Sequence, residues 1–237
     1  MSTKPLTEHL VQFTRFGFVN AYLVREDDGL TLVDTTLPRS TDALIAAARE
    51  TGGSIRRIAL THGHGDHVGS VDQLRQRLGP TVEVLLGELD ARIHAGEPVA
   101  NVVGRADTDT GTVKLTGSWP KLKTVPDVRL RHGDRVGSLE VIDSPGHSPG
   151  HVAFRDTRDG TVIAGDVFTS IGGLATASDR NWRFPLATMG TFDRVQNLAS
   201  ARALGALEPP LLVVGHGPAV HGPAAAIDRA IARGVSK

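Results

Sequence analysis

The sequence predicts an α/β fold built from layers of strands and helices. Short apolar runs alternate with amphipathic, helix-forming runs through both halves of the chain. In addition, residues 28–34 (DGLTLVD) resemble residues 159–166 (DGTVIAGD), since each run is a turn, an apolar strand and a terminal aspartate. This repetition indicates two related β-rich halves with one chemical site at their junction, although Asp-Gly turns are common enough for coincidence to remain an alternative.

Size and composition narrow the functional classes. The length suits one large domain or two small ones, and we treat residues 1–237 as a single domain. The 26 basic and 26 acidic residues cancel, which argues against nucleic acid or an anionic membrane as partner. The chain has no cysteine, so disulfides, thiolate metal sites and cysteine nucleophiles are excluded. We expect a cytoplasmic protein that acts on a small molecule; nothing indicates its oligomeric state.

The elements follow from local patterns. Residues 18–24 and 30–34 predict a β-hairpin, 41–49 a helix, and 56–61 a strand that leads into a histidine-rich stretch. Ser70 opens a helix with the capping-box pattern S-x-x-Q, and residues 81–86 return as a strand. Further strands are predicted at 138–143, 151–154, 161–164 and 211–214, and further helices at 191–204 and 223–232. Residues 87–137 form a long, partly irregular insertion with a possible helix at 88–94.

The most informative stretch is H-x-H-x-D-H at residues 62–67, between a strand and a helix. Side chains of an extended chain alternate in direction, so His62 and His64 can face the same way. Two neutral imidazoles at that spacing bind a divalent ion, and Asp66 and His67 follow where the chain turns. The alternative is a solvated, His-rich loop without metal. The flanking glycines and the helix start favour the metal site.

Three further candidate ligands lie at strand-to-loop junctions, where α/β proteins build their sites. His147 lies in a turn-rich loop after a strand, Asp166 ends the strand at 161–164, and His216 follows the strand at 211–214. A lone loop histidine is usually a bystander, so only their shared placement supports a role for these three residues.

In these seven candidate ligands the sequence resembles the metallo-β-lactamase fold superfamily, whose signature is H-x-H-x-D-H followed by a separate His, a bridging Asp and a last His. The resemblance extends from the hairpin near Phe18 to His216. It implies a four-layer αββα sandwich of two mixed sheets with two divalent metal ions at one edge. Zinc is the usual ion, and iron or manganese suits the same ligands. It further implies that His62, His64 and His147 bind the first ion, that Asp66, His67 and His216 bind the second, and that Asp166 bridges them.

Such a pair of ions activates a bridging hydroxide for attack on a carbonyl or phosphoryl centre. Asp66 is the candidate to orient that hydroxide and to protonate the leaving group. We place His151 and Asp34 behind the ligands, as hydrogen-bond partners that orient them, with a buried structural role as the alternative for each. The candidates for the substrate pocket are Phe168, Thr169, Trp182 and Phe184.

Comparison with branches of the superfamily argues against several substrate classes. β-Lactamases of this fold generally lack a bridging aspartate, and glyoxalase II enzymes add a helical domain, whereas 21 residues follow His216 here. Acyl-homoserine lactonases usually have a tyrosine where this chain has Thr169. A small ester, lactone or thioester remains the expected substrate. The alternatives are a one-iron persulfide dioxygenase, a β-lactam or phosphodiester hydrolase, and a non-enzymatic scaffold.

Overall fold

Two mixed β-sheets form the centre of the fold. The computed structural model describes residues 1–104, 114–179 and 181–235. The first sheet contains, in spatial order, β1 (Ser2–Pro5), β2 (Leu10–Arg15), β3 (Val19–Glu26), β4 (Gly29–Val33), β5 (Ile55–Leu60), β6 (Glu83–Gly87) and β7 (Val128–Leu130). The second contains β8 (Arg135–Val136), β9 (Leu139–Asp143), β10 (Val152–Asp156), β11 (Val162–Ile163), β14 (Leu211–Val213) and β15 (Val220–His221), and β12 (Phe168–Thr169) pairs with β13 (Ala175–Thr176).

Helices surround the two sheets. They are α1 (Thr41–Glu50), α2 (Gly65–Val68), α3 (Val71–Leu78), α4 (Glu88–His94), α5 (Val99–Val103), α6 (Pro185–Gly190), α7 (Arg194–Gly205) and α8 (Ala224–Val235). Among the described residues, none of these helices is both long and apolar enough to cross a membrane.

Alternation of side chains along the strands creates three apolar layers. In β3, Tyr22 and Val24 point into the layer between the two sheets, where they meet Phe154 of the second sheet. Ala21 and Leu23 of the same strand belong to the layer beneath α1 and α3. A third layer joins the other face of the second sheet to α7 and α8. The predicted αββα sandwich is therefore confirmed.

The two sequence-similar runs occupy equivalent places. β4 pairs antiparallel with β3 and parallel with β5, and β11 pairs antiparallel with β10 and parallel with β14. Asp34 follows β4 and Asp166 follows β11, and both side chains reach His67. The equivalence supports the prediction of two related halves.

Several local predictions need correction. Ser70 precedes α3, but its hydroxyl does not cap that helix; it donates to Leu37 O and accepts from Ser40 N. Gln73 instead accepts a hydrogen bond from Thr41. The tertiary contact between α1 and α3 thus replaces the predicted capping box.

The insertion at 87–137 contains more regular structure than predicted. It includes α4, which matches the predicted helix at 88–94, and also α5 and β7. Residues 105–113 lie outside the described part of the chain. The segment 114–122 returns across the mouth of the histidine cluster, where Gly65 N donates to Ser118 O.

Candidate metal centre

Three histidines from two loops converge on one point. After β5 the chain stays extended through His64, so His62 and His64 face the same side, as the spacing predicts. His62 Nε2 lies 3.2 Å from His64 Nδ1, which lies 3.0 Å from Nε2 of His147 in the loop after β9. Four ligands around zinc lie about 3.3 Å from one another, since Zn–N bonds are about 2.0–2.1 Å. We call these three histidines the first set.

Asp66, His67 and His216 form a second set beside the first. Their ligand atoms all lie within 4.8 Å of one another, and His216 Nε2 is 3.2 Å from Asp66 Oδ2. α2 turns Asp66 and His67 towards the end of β14, where His216 is held by a bridge to Val19.

Asp166 lies between the two sets. Its Oδ2 is 3.4 Å from His147 Nε2 and 3.2 Å from His216 Nε2, and its Oδ1 is 3.5 Å from His67 Nε2. One carboxylate therefore contacts ligand atoms of both sets, as a bridging ligand must.

Hydrogen bonds at the far ring nitrogens aim the lone pairs of the first set inward. Thr61 Oγ1 donates to Asp34, and Thr191 Oγ1 donates to Ala187 O. These hydroxyls therefore accept from Nδ1 of His62 and His147, which leaves Nε2 of each ring as the lone pair. His64 donates through Nε2 to Thr116 O, which leaves its Nδ1. The three atoms that converge are the three free lone pairs.

In the second set, a hydrogen bond likewise holds the ring nitrogen of His67 that faces away from the centre. His67 Nδ1 donates to Asp34 Oδ2 at 2.8 Å, and His67 Nε2 faces the centre. Buried polar atoms normally have partners, yet His67 Nε2 and Asp166 Oδ1 find no hydrogen-bond partner among the described residues. Converging lone pairs and unsatisfied buried atoms fit a pair of divalent cations bound by nitrogen and oxygen.

Burial keeps the imidazoles of the first set neutral. It lowers the pKa of His64 to about 4 and, with the neighbouring histidines, lowers the pKa of His62 and His147 well below the usual range. The second set behaves in the opposite way. Burial alone would lower the pKa of His216, but Asp166 and Asp66 outweigh it and raise that pKa to about 9. Asp166 and Asp34 likewise outweigh burial at His67 and raise its pKa.

This asymmetry predicts different proton release by the two sets. At pH 7 the rings of His67 and His216 in the metal-free protein should carry a second proton, which a metal must displace, whereas the rings of the first set should be neutral. Metal binding to the second set should therefore release about two protons and strengthen from pH 7 towards 9, whereas binding to the first set should release none. Calorimetric zinc titrations in buffers of different ionisation enthalpy measure this release. Equal release by both equivalents would contradict the assignment.

The sequence model of the metallo-beta-lactamase superfamily matches residues 14–216, which include both sets and Asp166. The chain belongs to this superfamily.

Relatives within the superfamily are similar over most of the chain. An uncharacterized protein of Bacillus subtilis (strain 168), YobT, is 38% identical over 214 residues, which cover 90% of this chain and 89% of YobT. The probable metallo-hydrolase YybB of the same bacterium is 28% identical, with 92% and 91% covered. A hydroxyacylglutathione hydrolase of Xanthomonas euvesicatoria is 32% identical over 63% of this chain, but the match spans 46% of that enzyme.

Solved structures agree in fold. TTHA1623 in a di-iron-bound form is 31% identical and superposes with a TM-score of 0.62, covering 89% of this chain and 93% of TTHA1623. A metallo-beta-lactamase from Pontibacter korlensis has a TM-score of 0.71 over 100% and 99% of the two chains, and at 17% identity it shows the fold alone.

Asp34 and His151, predicted from the sequence to lie behind the ligands, support the site in different ways. Asp34 accepts from His67 and also from the backbone N–H and hydroxyl of Thr61. The ring of His151 packs against the ring of His62, but among the described residues it makes no hydrogen bond to a ligand side chain. Its Nε2 accepts from the backbone N–H of Asp166 at 3.0 Å, and its Nδ1 lies 2.8 Å from Ser144 Oγ. His151 thus positions Asp166 through the main chain.

A cleft of about 720 Å³ opens over the candidate metal centre. Of the four residues predicted for the pocket, only Phe184 lies along it. Phe168 is buried in the layer beneath α7, Thr169 donates to His216 O, and Trp182 is 81% exposed beside a second cavity. Their placement in an irregular segment was too weak a signal to separate a cleft wall from core or surface.

Sequence reasoning missed other contributors to the site. Thr191 and Thr116 orient His147 and His64, and Asp90 contacts both metal-binding loops. Leu186 on α6 also lines the cleft. The contacts of Thr191, Thr116 and Asp90 join segments far apart in the chain, so no local sequence pattern indicates them.

Proposed function

We propose that this protein is a dinuclear metal-dependent hydrolase that attacks the carbonyl of a small ester, lactone or thioester. The observation that carries the proposal is Asp166, whose carboxylate contacts ligand atoms of both sets, while the free lone pairs of the first set face inward. Zinc is the first candidate, with iron and manganese as alternatives, because nitrogen and oxygen ligands suit all three. The structure of TTHA1623 in a di-iron-bound form supports iron as an alternative.

Two divalent ions in this centre would supply a water activated for attack at neutral pH and a Lewis acid for the carbonyl oxygen. Asp66 is the group best placed to handle the proton. Its side chain is 36% exposed and lines the cleft, whereas Asp166 is only 5% exposed. Burial acts to raise the pKa of Asp66, but His67 and His216 outweigh it and lower that pKa. Asp66 is therefore ionised and able to accept a proton, which it then delivers to the leaving group.

The cleft supports a substrate with an apolar portion. Its volume of about 720 Å³ lies within the range of small-molecule sites. Leu186, Met189 and Phe184 form one wall, and Leu37 and Leu122 lie on the others. Leu186 and Met189 are 61% and 70% exposed, which leaves apolar surface for a substrate to cover. The name of the related hydroxyacylglutathione hydrolase also favours an acyl substrate.

A substrate panel tests the proposal. Protein loaded with two equivalents of zinc is assayed against lactones, thioesters, carboxylic esters, phosphodiesters and β-lactams, and iron-loaded protein against a persulfide with oxygen uptake recorded. We expect turnover of at least one carbonyl ester, lactone or thioester that is lost with Asp66→Ala. Turnover confined to phosphodiesters, to β-lactams or to oxygen-dependent oxidation would overturn the proposal in favour of that activity.

A further inference from the structure

Asp90 is a buried carboxylate at the junction of the two loops that supply the first set. It lies in α4 with no exposed surface. Its Oδ2 accepts from Gly63 N at 2.9 Å and from Ser148 Oγ at 2.6 Å, and its Oδ1 accepts from Gly150 N at 2.6 Å. Both oxygens are thus occupied by donors from the protein.

These donors flank the ligands. Gly63 lies between His62 and His64, and Ser148 follows His147 directly. The loops are more than 80 residues apart in sequence, since the contact between His64 and His147 spans 83 positions. A single side chain from a third segment therefore joins the two halves of the first set.

The backbone around this carboxylate is closely packed. A Cβ on Gly150 would lie 2.3 Å from Asp90 N, and a Cβ on Gly87 would lie 2.0 Å from Gly150 O. The start of α4 therefore packs directly on the His147 loop, and glycine is required on both sides of the contact.

The cost of burying Asp90 indicates a specific role. Burial raises its pKa to about 6, against the opposing effect of the hydrogen bonds from Ser148, Gly150 and Gly63. In the part of the chain that the structure describes, no cationic side chain pairs with it. A buried carboxylate with only neutral donors is unfavourable for folding compared with an apolar residue, so its effect is better sought in the geometry that it sets.

We propose that Asp90 is a positioning residue that fixes the separation of the His62–His64 loop from the His147 loop and thereby sets the metal affinity of the first set. The inference rests on the proposed metal centre. Among the described residues, the hydrogen bonds of Asp90 come from the two loops of the first set, whereas Asp34 and Asp166 contact the second set. Its effect should therefore be confined to one of the two ions.

The test is Asp90→Asn, which keeps the shape but must point an amide N–H at a backbone N–H, at either Gly63 or Gly150. Zinc affinity is measured by competition with a chromophoric chelator in two backgrounds. His216→Ala disables the second set and leaves the first intact, and His147→Ala does the reverse. We expect Asp90→Asn to weaken zinc binding about ten- to a hundredfold in the His216→Ala background and to have little effect in the other.

Asp156→Asn is the matched control. Asp156 is also a buried carboxylate at 4% exposure, but it accepts hydrogen bonds from Arg158 at the far end of β10. The Asp156→Asn substitution should lower the Tm of the metal-free protein without changing zinc affinity in either background. Equal weakening of both sets by Asp90→Asn, or no weakening beyond that of Asp156→Asn, would overturn the positioning role.

Ser148→Ala covers the case in which Asp90→Asn fails to fold. It removes one of the three hydrogen bonds and should weaken the first set in the same direction by a smaller factor; unchanged affinity would overturn the inference. If the unmodified protein binds no zinc at all, the proposed function itself fails, which is a different result from a zinc-binding protein indifferent to Asp90.

Discussion

Replacing Asp66 by alanine is expected to lower kcat by about a hundred- to ten-thousandfold, the usual contribution of a positioned proton-transfer group. Asp66 combines a lowered pKa with exposure to the cleft, so its loss removes both an acceptor for the proton and a ligand of the second set. The first set does not contact this side chain and should keep its ion. Steady-state kinetics and metal analysis of the same sample measure both effects.

Folding should be nearly unaffected by Asp66→Ala, because the side chain is 36% exposed and does not pack in the core. Asp42→Ala serves as the control for loss of an acidic residue; its side chain is 82% exposed and pairs with Arg77 on the surface. Full turnover by Asp66→Ala, with the substrate that the panel identifies, would show that another group handles the proton.

Asp166→Asn is expected to have a comparable or larger effect, lowering kcat by about a thousandfold or more and reducing the bound metal from two equivalents to at most one. Asparagine keeps the shape of the side chain but removes the negative charge that both sets share. Since Asp166 is a main cause of the raised pKa of His216, that pKa should also fall in the metal-free variant. Metal analysis and NMR titration of the histidine rings follow these two effects independently of activity.

Asp156→Asn again provides the comparison, because Asp156 and Asp166 are buried to the same extent. It should retain two equivalents of metal and an unchanged pKa at His216. Two tightly bound ions in Asp166→Asn would show that the carboxylate does not bridge.

The sequence was sufficient to predict the features that depend on local order. The H-x-H-x-D-H stretch carries four candidate ligands on one short segment. The same turn–strand–aspartate pattern predicts both β4 and β11. In each case the signal lies within about ten consecutive residues, where periodicity and turn chemistry are strongest.

Other features were not predictable because they arise between distant segments. β1 is exposed on the edge of its sheet and carries no apolar alternation, so its pairing with β2 leaves no local signal. The orientation of His64 depends on the carbonyl of Thr116, 52 residues away, and any residue type supplies a carbonyl. Asp90 resembles an ordinary acidic residue at the start of a helix, and only the folded chain shows that it is buried.

The most direct test of the dinuclear centre is anomalous diffraction from crystals of the zinc-loaded protein, recorded on both sides of the zinc absorption edge. Two peaks about 3.5–4 Å apart are predicted, one bounded by His62, His64 and His147 and the other by Asp66, His67 and His216, with Asp166 between them. A single peak, or peaks held by other side chains, would contradict the account.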